Sequence, residues 1–210
     1  MRERYRAQLE ELNENLIKLS KLCEKAISLA IEGFISHDES IAEESMAIEA
    51  TIDELEKTIE GQCMMILLKQ QPLASDLRIV SAALKMITDL ERIGDQAEDI
   101  ASLSKHTVNV DLSDNLQKMA EEVMKMVVDA VNSYVSQDLE LANSVIAYDD
   151  VVDELFDTVK KEIIADIKEN EKDAETTIDT LMIAKYLERI GDHATNVAEW
   201  VVFAITGKHE

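Results

Sequence analysis

Turn-forming residues are scarce in this chain, with one proline, five glycines and 4% aromatic residues among 210. All-β architectures, which need a turn signal every few residues, are excluded, and a nearly all-helical chain is expected. Basic residues are also few. Against 44 Asp and Glu there are 21 Lys and Arg, a formal net charge of −23. Such a charge repels nucleic-acid phosphate and anionic headgroups over a Debye length of about 10 Å, so no nucleic-acid partner is expected. Long apolar runs are missing as well. The two longest, Cys63 to Leu68 and Trp200 to Ile205, fall far below the roughly 20 residues that span a bilayer, so no membrane insertion is expected. The first residues, Met1-Arg2-Glu3-Arg4-Tyr5-Arg6, lead into a charged amphipathic helix rather than an apolar signal core, which points to a cytoplasmic address.

What the chain does have is a repeat. Glu91-Arg92-Ile93-Gly94-Asp95 returns as Glu188-Arg189-Ile190-Gly191-Asp192, 97 positions later. Each copy carries a Glu and an Asp four apart, which a helix of 3.6 residues per turn places on one face about 6 Å apart along the axis. The glycine between them costs a helix interior about 1 kcal/mol relative to alanine, and its recurrence implies room for something to approach. At an offset of 100, the two cysteines align with Val123 and Ile163. Cys23 and Cys63 are therefore expected to be inert core thiols.

Three helices of about 30 residues, about 45 Å each, are expected per copy. The first runs from about 3 to 36, with Leu9, Leu12, Leu16, Leu19, Cys23, Ala26 and Ala30 stepping by three and four as a buried seam. Asp38 is placed to cap a second helix that buries Ile41, Ile48, Ile52, Leu55 and Ile59 and ends before Pro72. The third helix runs from about 73 to 105. Residues 107–113 break the period and supply Ser113 as a cap, so the chain divides into 1–107 and 108–210. The fourth helix buries Leu116, Met119, Val123, Met126 and Ala130 and ends near Gln137-Asp138. The fifth repeats the second's seam through Leu141, Val145, Tyr148, Val152, Leu155 and Val159. The change of offset from 100 to 97 places a three-residue loss around 168–172. A sixth helix runs to Ile205, with Gly207 at its C-cap. The fold class is thus all-α, two tandem three-helix bundles built from six long antiparallel helices, stacked end to end or side by side.

The second and fifth helices carry further pairs, Glu49 with Asp53 and Asp149 with Asp153, one step from their seams. In the third helix the steps Leu77, Val80, Leu84, Ile87 lead into Glu91. In the sixth, Ile178, Leu181 and Ala184 lead into Glu188. Both steps place acids where the period asks for apolar residues. One such pair in a chain that is 31% charged is a solvated face. Four pairs on neighbouring helices of two repeats point instead to cation sites, because carboxylates gathered this closely raise one another's pKa. The candidate metal ligands are Glu49, Asp53, Glu91 and Asp95 in the first bundle and Asp149, Asp153, Glu188 and Asp192 in the second. Asp99 and Asn196, four residues beyond each motif, form a second tier. The first cluster is expected to be the more negative. An all-carboxylate donor set suits divalent or trivalent iron, manganese, magnesium, calcium or zinc, and four acids can bridge more than one ion. The four histidines, His37, His106, His193 and His209, are expected at the surface.

These features, together with Asp53-Glu54-Leu55-Glu56 and Gln71-Pro72-Leu73-Ala74-Ser75-Asp76-Leu77-Arg78, resemble the PhoU family of phosphate-uptake regulators over nearly the whole chain. The resemblance implies two stacked three-helix bundles and multinuclear iron or zinc clusters on the eight motif positions. It implies a homodimeric cytoplasmic protein, peripheral to the membrane through its partners. Its role would be to link the ATPase subunit of a phosphate ABC importer to a membrane sensor histidine kinase, restraining uptake and phosphate-starvation genes. Two rival readings are a helical interaction module whose acids hold no metal, and a di-iron carboxylate oxidase. The second conflicts with the sequence, since such sites use Glu-x-x-His and glycine stands three residues after both Glu91 and Glu188.

Overall fold

The computed structural model describes residues 2–36, 38–70, 74–103, 112–169 and 174–208. Six helices make up nearly all of it: α1 (Arg2–Ser36), α2 (Glu39–Gln70), α3 (Ala74–Leu103), α4 (Asp114–Ser136), α5 (Leu139–Glu169) and α6 (Ala174–Thr206). Their ends follow from local chemistry. Asp38 Oδ1 accepts from Ser40 N (2.9 Å) at the start of α2, and Asp138 Oδ1 accepts from Leu141 N (3.0 Å) at the start of α5. Ser113 caps α4, Gln137 ends it in a left-handed conformation, and Gly207 (φ 75°) ends α6. The boundary at 107/108, the Pro72 turn, most of the proposed three-residue loss, and His37, His106 and His209 lie outside the described residues.

Each repeat forms a three-helix bundle, and the two lie side by side. α1, α3, α6 and α4 make a closed ring; α2 covers α1 and α3, and α5 covers α4 and α6. The most extensive packing is between α3 and α6, across the bundles. These two run antiparallel. Arg78 Nε at the start of α3 donates to Ala204 O near the end of α6 (3.5 Å), and Tyr134 Oη at the end of α4 donates to Ile79 O (2.9 Å). Ala82, Ala83, Ala97 and Ala101 on α3 and Ala184, Ala194 and Ala198 on α6 are fully buried, and such short side chains let helices approach closely. Each buried Leu, Ile or Val in this core contributes about 1.5–3 kcal/mol.

The seams of α1 and α4 run as expected, and both cysteines are free and buried. Several expected core positions do not hold. Ile41 and Leu141 are half-exposed, and Ala42, packed on Gly33, and Ala142 are buried in their place. Leu77 is 45% exposed. On α6, Ile178 (60%) and Leu181 (36%) face outward while Thr176, Thr177 and Thr180 are buried. For α3 and α6 the reason is that they share the most extensive packing across the bundles, which draws the core face round the helix from the ridge that single-bundle spacing selects. Thr180 tolerates burial because its Oγ1 donates to Thr176 O (2.8 Å). His193 is also not a surface residue; it sits half-buried between the bundles.

Candidate metal centre

The carboxylate pairs lie on the shoulders where α2 meets α3 and where α5 meets α6. The glycine of each motif sets that approach. A Cβ on Gly94 would stand 3.0 Å from Ile52 Cδ1 and 3.2 Å from its Cγ2. One on Gly191 would stand 3.3 Å from Val152 Cγ1 and 3.7 Å from Asp149 Oδ1. What the glycines admit is therefore a side chain of the neighbouring helix, which brings the acids of the two helices onto one shoulder.

In the first bundle Glu49, Asp53, Glu91 and Asp95 are all half-buried. Partial burial, then Asp53, Glu98, Asp95 and Glu91, hold the Glu49 carboxyl above its usual range. Glu91 is raised by burial and Asp95 against the opposing charge of Arg92, with Asp53 and Glu56 adding to the rise. All four predicted acids thus feel one another. Two more, Glu56 and Glu98, belong to the same electrostatic group and were not singled out by the four-residue motif. Their spacing of three beyond Asp53 and Asp95 was the available signal. Three basic contacts offset the charge: Arg92 Nη1 to Asp95 Oδ2 (3.1 Å), Arg92 Nε to Glu91 Oε2 (3.6 Å) and Lys57 Nζ to Asp53 Oδ2 (3.4 Å).

In the second bundle Asp149 and Glu188 are half-buried, while Asp153 and Asp192 are more open. Asp149 is raised by burial and Asp153, against a hydrogen bond from Thr195 Oγ1 (3.3 Å). Asp192 is raised by burial, Glu188 and Asp149, against Lys185, which itself pairs with Glu188. The positions matching Glu56 and Glu98 are Phe156 and Thr195. Lys160 and Lys185 lie over the Phe156 ring at 5.3 and 5.5 Å. The first cluster is thus richer in acids, chiefly through Glu56 and Glu98 rather than Asp99.

The second-tier residues point elsewhere. Asp99 is raised by burial and Asp95 and faces Arg189 of α6, while Asn196 Nδ2 donates to Asp89 Oδ1 (3.2 Å) on α3. Asp89 Oδ1 also bonds His193 Nδ1 (2.9 Å), so these groups tie the bundles together. Among the described residues no three His, Cys, Asp or Glu side chains already converge on one point that could hold a metal ion. The donor chemistry nevertheless fits a hard cation: oxygen only, half-buried, and mutually repelling. A shared ion would draw carboxylates away from Arg92, Lys57 and Lys185.

A model of the PhoU domain matches residues 16–104 and again 116–201, one match per repeat. The chain belongs to the PhoU family. It is 35% identical over 211 aligned positions to a Clostridium acetobutylicum protein described as a phosphate-specific transport system accessory protein PhoU homolog, covering 99% of this chain and 96% of that one. A Pseudomonas aeruginosa protein of the same description is 32% identical, over 98% of this chain and 86% of its own. The crystal structure of PhoU from P. aeruginosa superposes with a TM-score of 0.89 at 31% identity, over 97% of this chain and all of that one. PhoU from Streptococcus pneumoniae, titled a phosphate transport system regulatory protein, gives 0.89 at 26% identity over 98% and 99%. The all-α PhoU fold of two three-helix bundles is thereby established. Among the described residues no helix is long and apolar enough to cross a membrane.

Proposed function

We propose that this chain is a cytoplasmic accessory regulator of a phosphate importer that binds metal cations at two carboxylate clusters. The phosphate-transport role is supported by whole-length likeness to accessory proteins of phosphate-specific transport. The observation that carries the metal reading is the gathering of repeat-equivalent Glu/Asp-x-x-x-Asp pairs from adjacent helices at glycines that permit the approach. Glu49, Asp53, Glu91 and Asp95 would hold one group of ions, and Asp149, Asp153, Glu188 and Asp192 the other. Iron and zinc are the first candidates, with manganese and magnesium compatible. A bound cation would neutralise the acids and cross-link α2 to α3 or α5 to α6, stiffening the face they share. The partners on this reading are the importer's ATPase subunit and a membrane sensor histidine kinase, engaged by a homodimer.

The pairing of Arg92, Lys57 and Lys185 with these acids favours a second reading, in which the clusters are self-neutralised and the chain is a metal-free interaction module. Metal analysis of protein purified without chelator, beside the double variant Asp95→Ala/Asp192→Ala, separates the two. The first reading expects bound metal that falls in the variant; metal content that is absent, or the same in both, rejects it. Pull-down of the ATPase and kinase from the same samples tests the partner assignment.

A further inference from the structure

Two lysines and one aromatic ring set the second carboxylate cluster apart from the first. Phe156 of α5 is half-buried against the core, and Lys160 of α5 and Lys185 of α6 lie over its ring within cation–π range. Lys160 Nζ donates to Asp157 Oδ1 (2.6 Å), outside the cluster, whereas Lys185 Nζ donates to Glu188 Oε2 within it. The Glu188 side chain is 16% exposed, against 25% for Glu91 at the matching position of the first bundle. The first cluster holds its cations more loosely. Arg92 stands 3.1 Å from Asp95 and 3.6 Å from Glu91, and Lys57 stands 3.4 Å from Asp53, all farther than Lys185 from Glu188. Both side chains are also mostly in solvent. At the positions matching Phe156, Lys160 and Lys185 the first repeat has Glu56, Glu60 and Thr88, so the ring and its two lysines belong to the second bundle alone.

We infer that Lys185 is the resident counter-ion of the second cluster and sets its affinity for metal, so that the two clusters fill in order, the first before the second. This rests on the metal reading given above. A cation taken up among Asp149, Asp153, Glu188 and Asp192 must part Lys185 from Glu188, because an ammonium left in contact would repel it. Parting a half-buried pair costs more than parting an exposed one, and the Phe156 ring holds the lysine stem where it is. At the first cluster the exchange is easier. Arg92 and Lys57 turn into solvent they already face, and Glu56 and Glu98 add acids where the second bundle has Phe156 and Thr195.

The test uses the full-length protein, stripped with chelator and then titrated with zinc alone, read by equilibrium dialysis. Asp149→Ala/Asp192→Ala leaves the first cluster to be measured, and Glu49→Ala/Asp95→Ala leaves the second. The first should bind zinc about tenfold more tightly than the second, the scale of one charge-assisted hydrogen bond given up. Lys185→Met keeps the stem on the ring and removes the charge. It should tighten zinc about tenfold at the second cluster and leave the first unchanged. Lys185→Arg, which keeps a cation beside Glu188, should not tighten it. Nor should Lys160→Met, which takes the same charge from the same ring but from a lysine paired outside the cluster. Affinities that are equal or reversed between the clusters, no tightening by Lys185→Met, or equal tightening by Lys160→Met would each overturn the assignment and leave the metal reading standing. Absence of zinc from both single-cluster proteins would remove the metal reading, and this inference with it.

Discussion

Replacing Gly94 by alanine sets two computable effects against each other. Alanine in a helix interior gains about 1 kcal/mol over glycine. Against that, the new Cβ would stand 3.0 and 3.2 Å from two carbons of Ile52, a fully buried β-branched residue. Overpacking of a tight core costs about 1–3 kcal/mol, so the net change should be a loss of about 1 kcal/mol. For a chain of this size that is roughly 2–4 °C in melting temperature. Gly61→Ala supplies the control, because its Cβ meets nothing and the propensity gain of about 1 kcal/mol should appear undiminished. Gly191→Ala should fall between, its nearest contact being a single Val152 methyl at 3.3 Å. Thermal and urea denaturation of the three variants should rank them Gly61→Ala, Gly191→Ala, Gly94→Ala in falling stability. If Gly94→Ala stabilises as much as Gly61→Ala, the close approach of α2 to α3 is not what the glycine serves.

In chelator, stability should rise as pH falls from 7 toward about 5. Glu49, Glu56, Glu91, Asp99, Asp149 and Asp192 all have raised folded-state pKa values, so the native state takes up protons before the unfolded chain does, and the repulsion is relieved. Asp38 and Asp157, whose values are lowered, act oppositely and only at lower pH. A urea midpoint that falls steadily from pH 7 would contradict this. Asp89→Ala leaves His193 Nδ1 and Asn196 Nδ2 without their shared acceptor and should cost about 1–3 kcal/mol, read by the same denaturation curves; a change within error would mean the bridge is ornamental. Chelation of metal-loaded protein should lower the melting temperature while most of the far-UV helical signal persists at 25 °C, because the apolar cores of both bundles hold without the clusters. Complete unfolding, or no shift, would each refute that division of labour.

Helix number, caps and most of the core were legible in the sequence because they depend on spacing within one helix. Asp38, Ser113 and Gly207 act locally, and α1 and α4, whose packing across the bundles is less extensive than that of α3 and α6, keep the seams that the period selects. The eight motif acids could be placed on common helix faces for the same reason. Glu56 and Glu98 fall outside a spacing of four, whereas a neighbouring helix also brings in the residue three further on.

Sequence alone settled that there are two copies of a three-helix unit and that each carries acids on two of its helices, since both are properties of repeat and period. Tertiary structure decided the rest. The side-by-side antiparallel pairing of the bundles turns α3 and α6 into helices buried on two sides, which exposes Ile178 and Leu181, buries Thr176 and Thr180, and draws His193 and Asn196 onto Asp89. It also decided what Gly94 and Gly191 admit. A period shows which residues share a face, but what meets that face depends on a helix that can lie a hundred residues away.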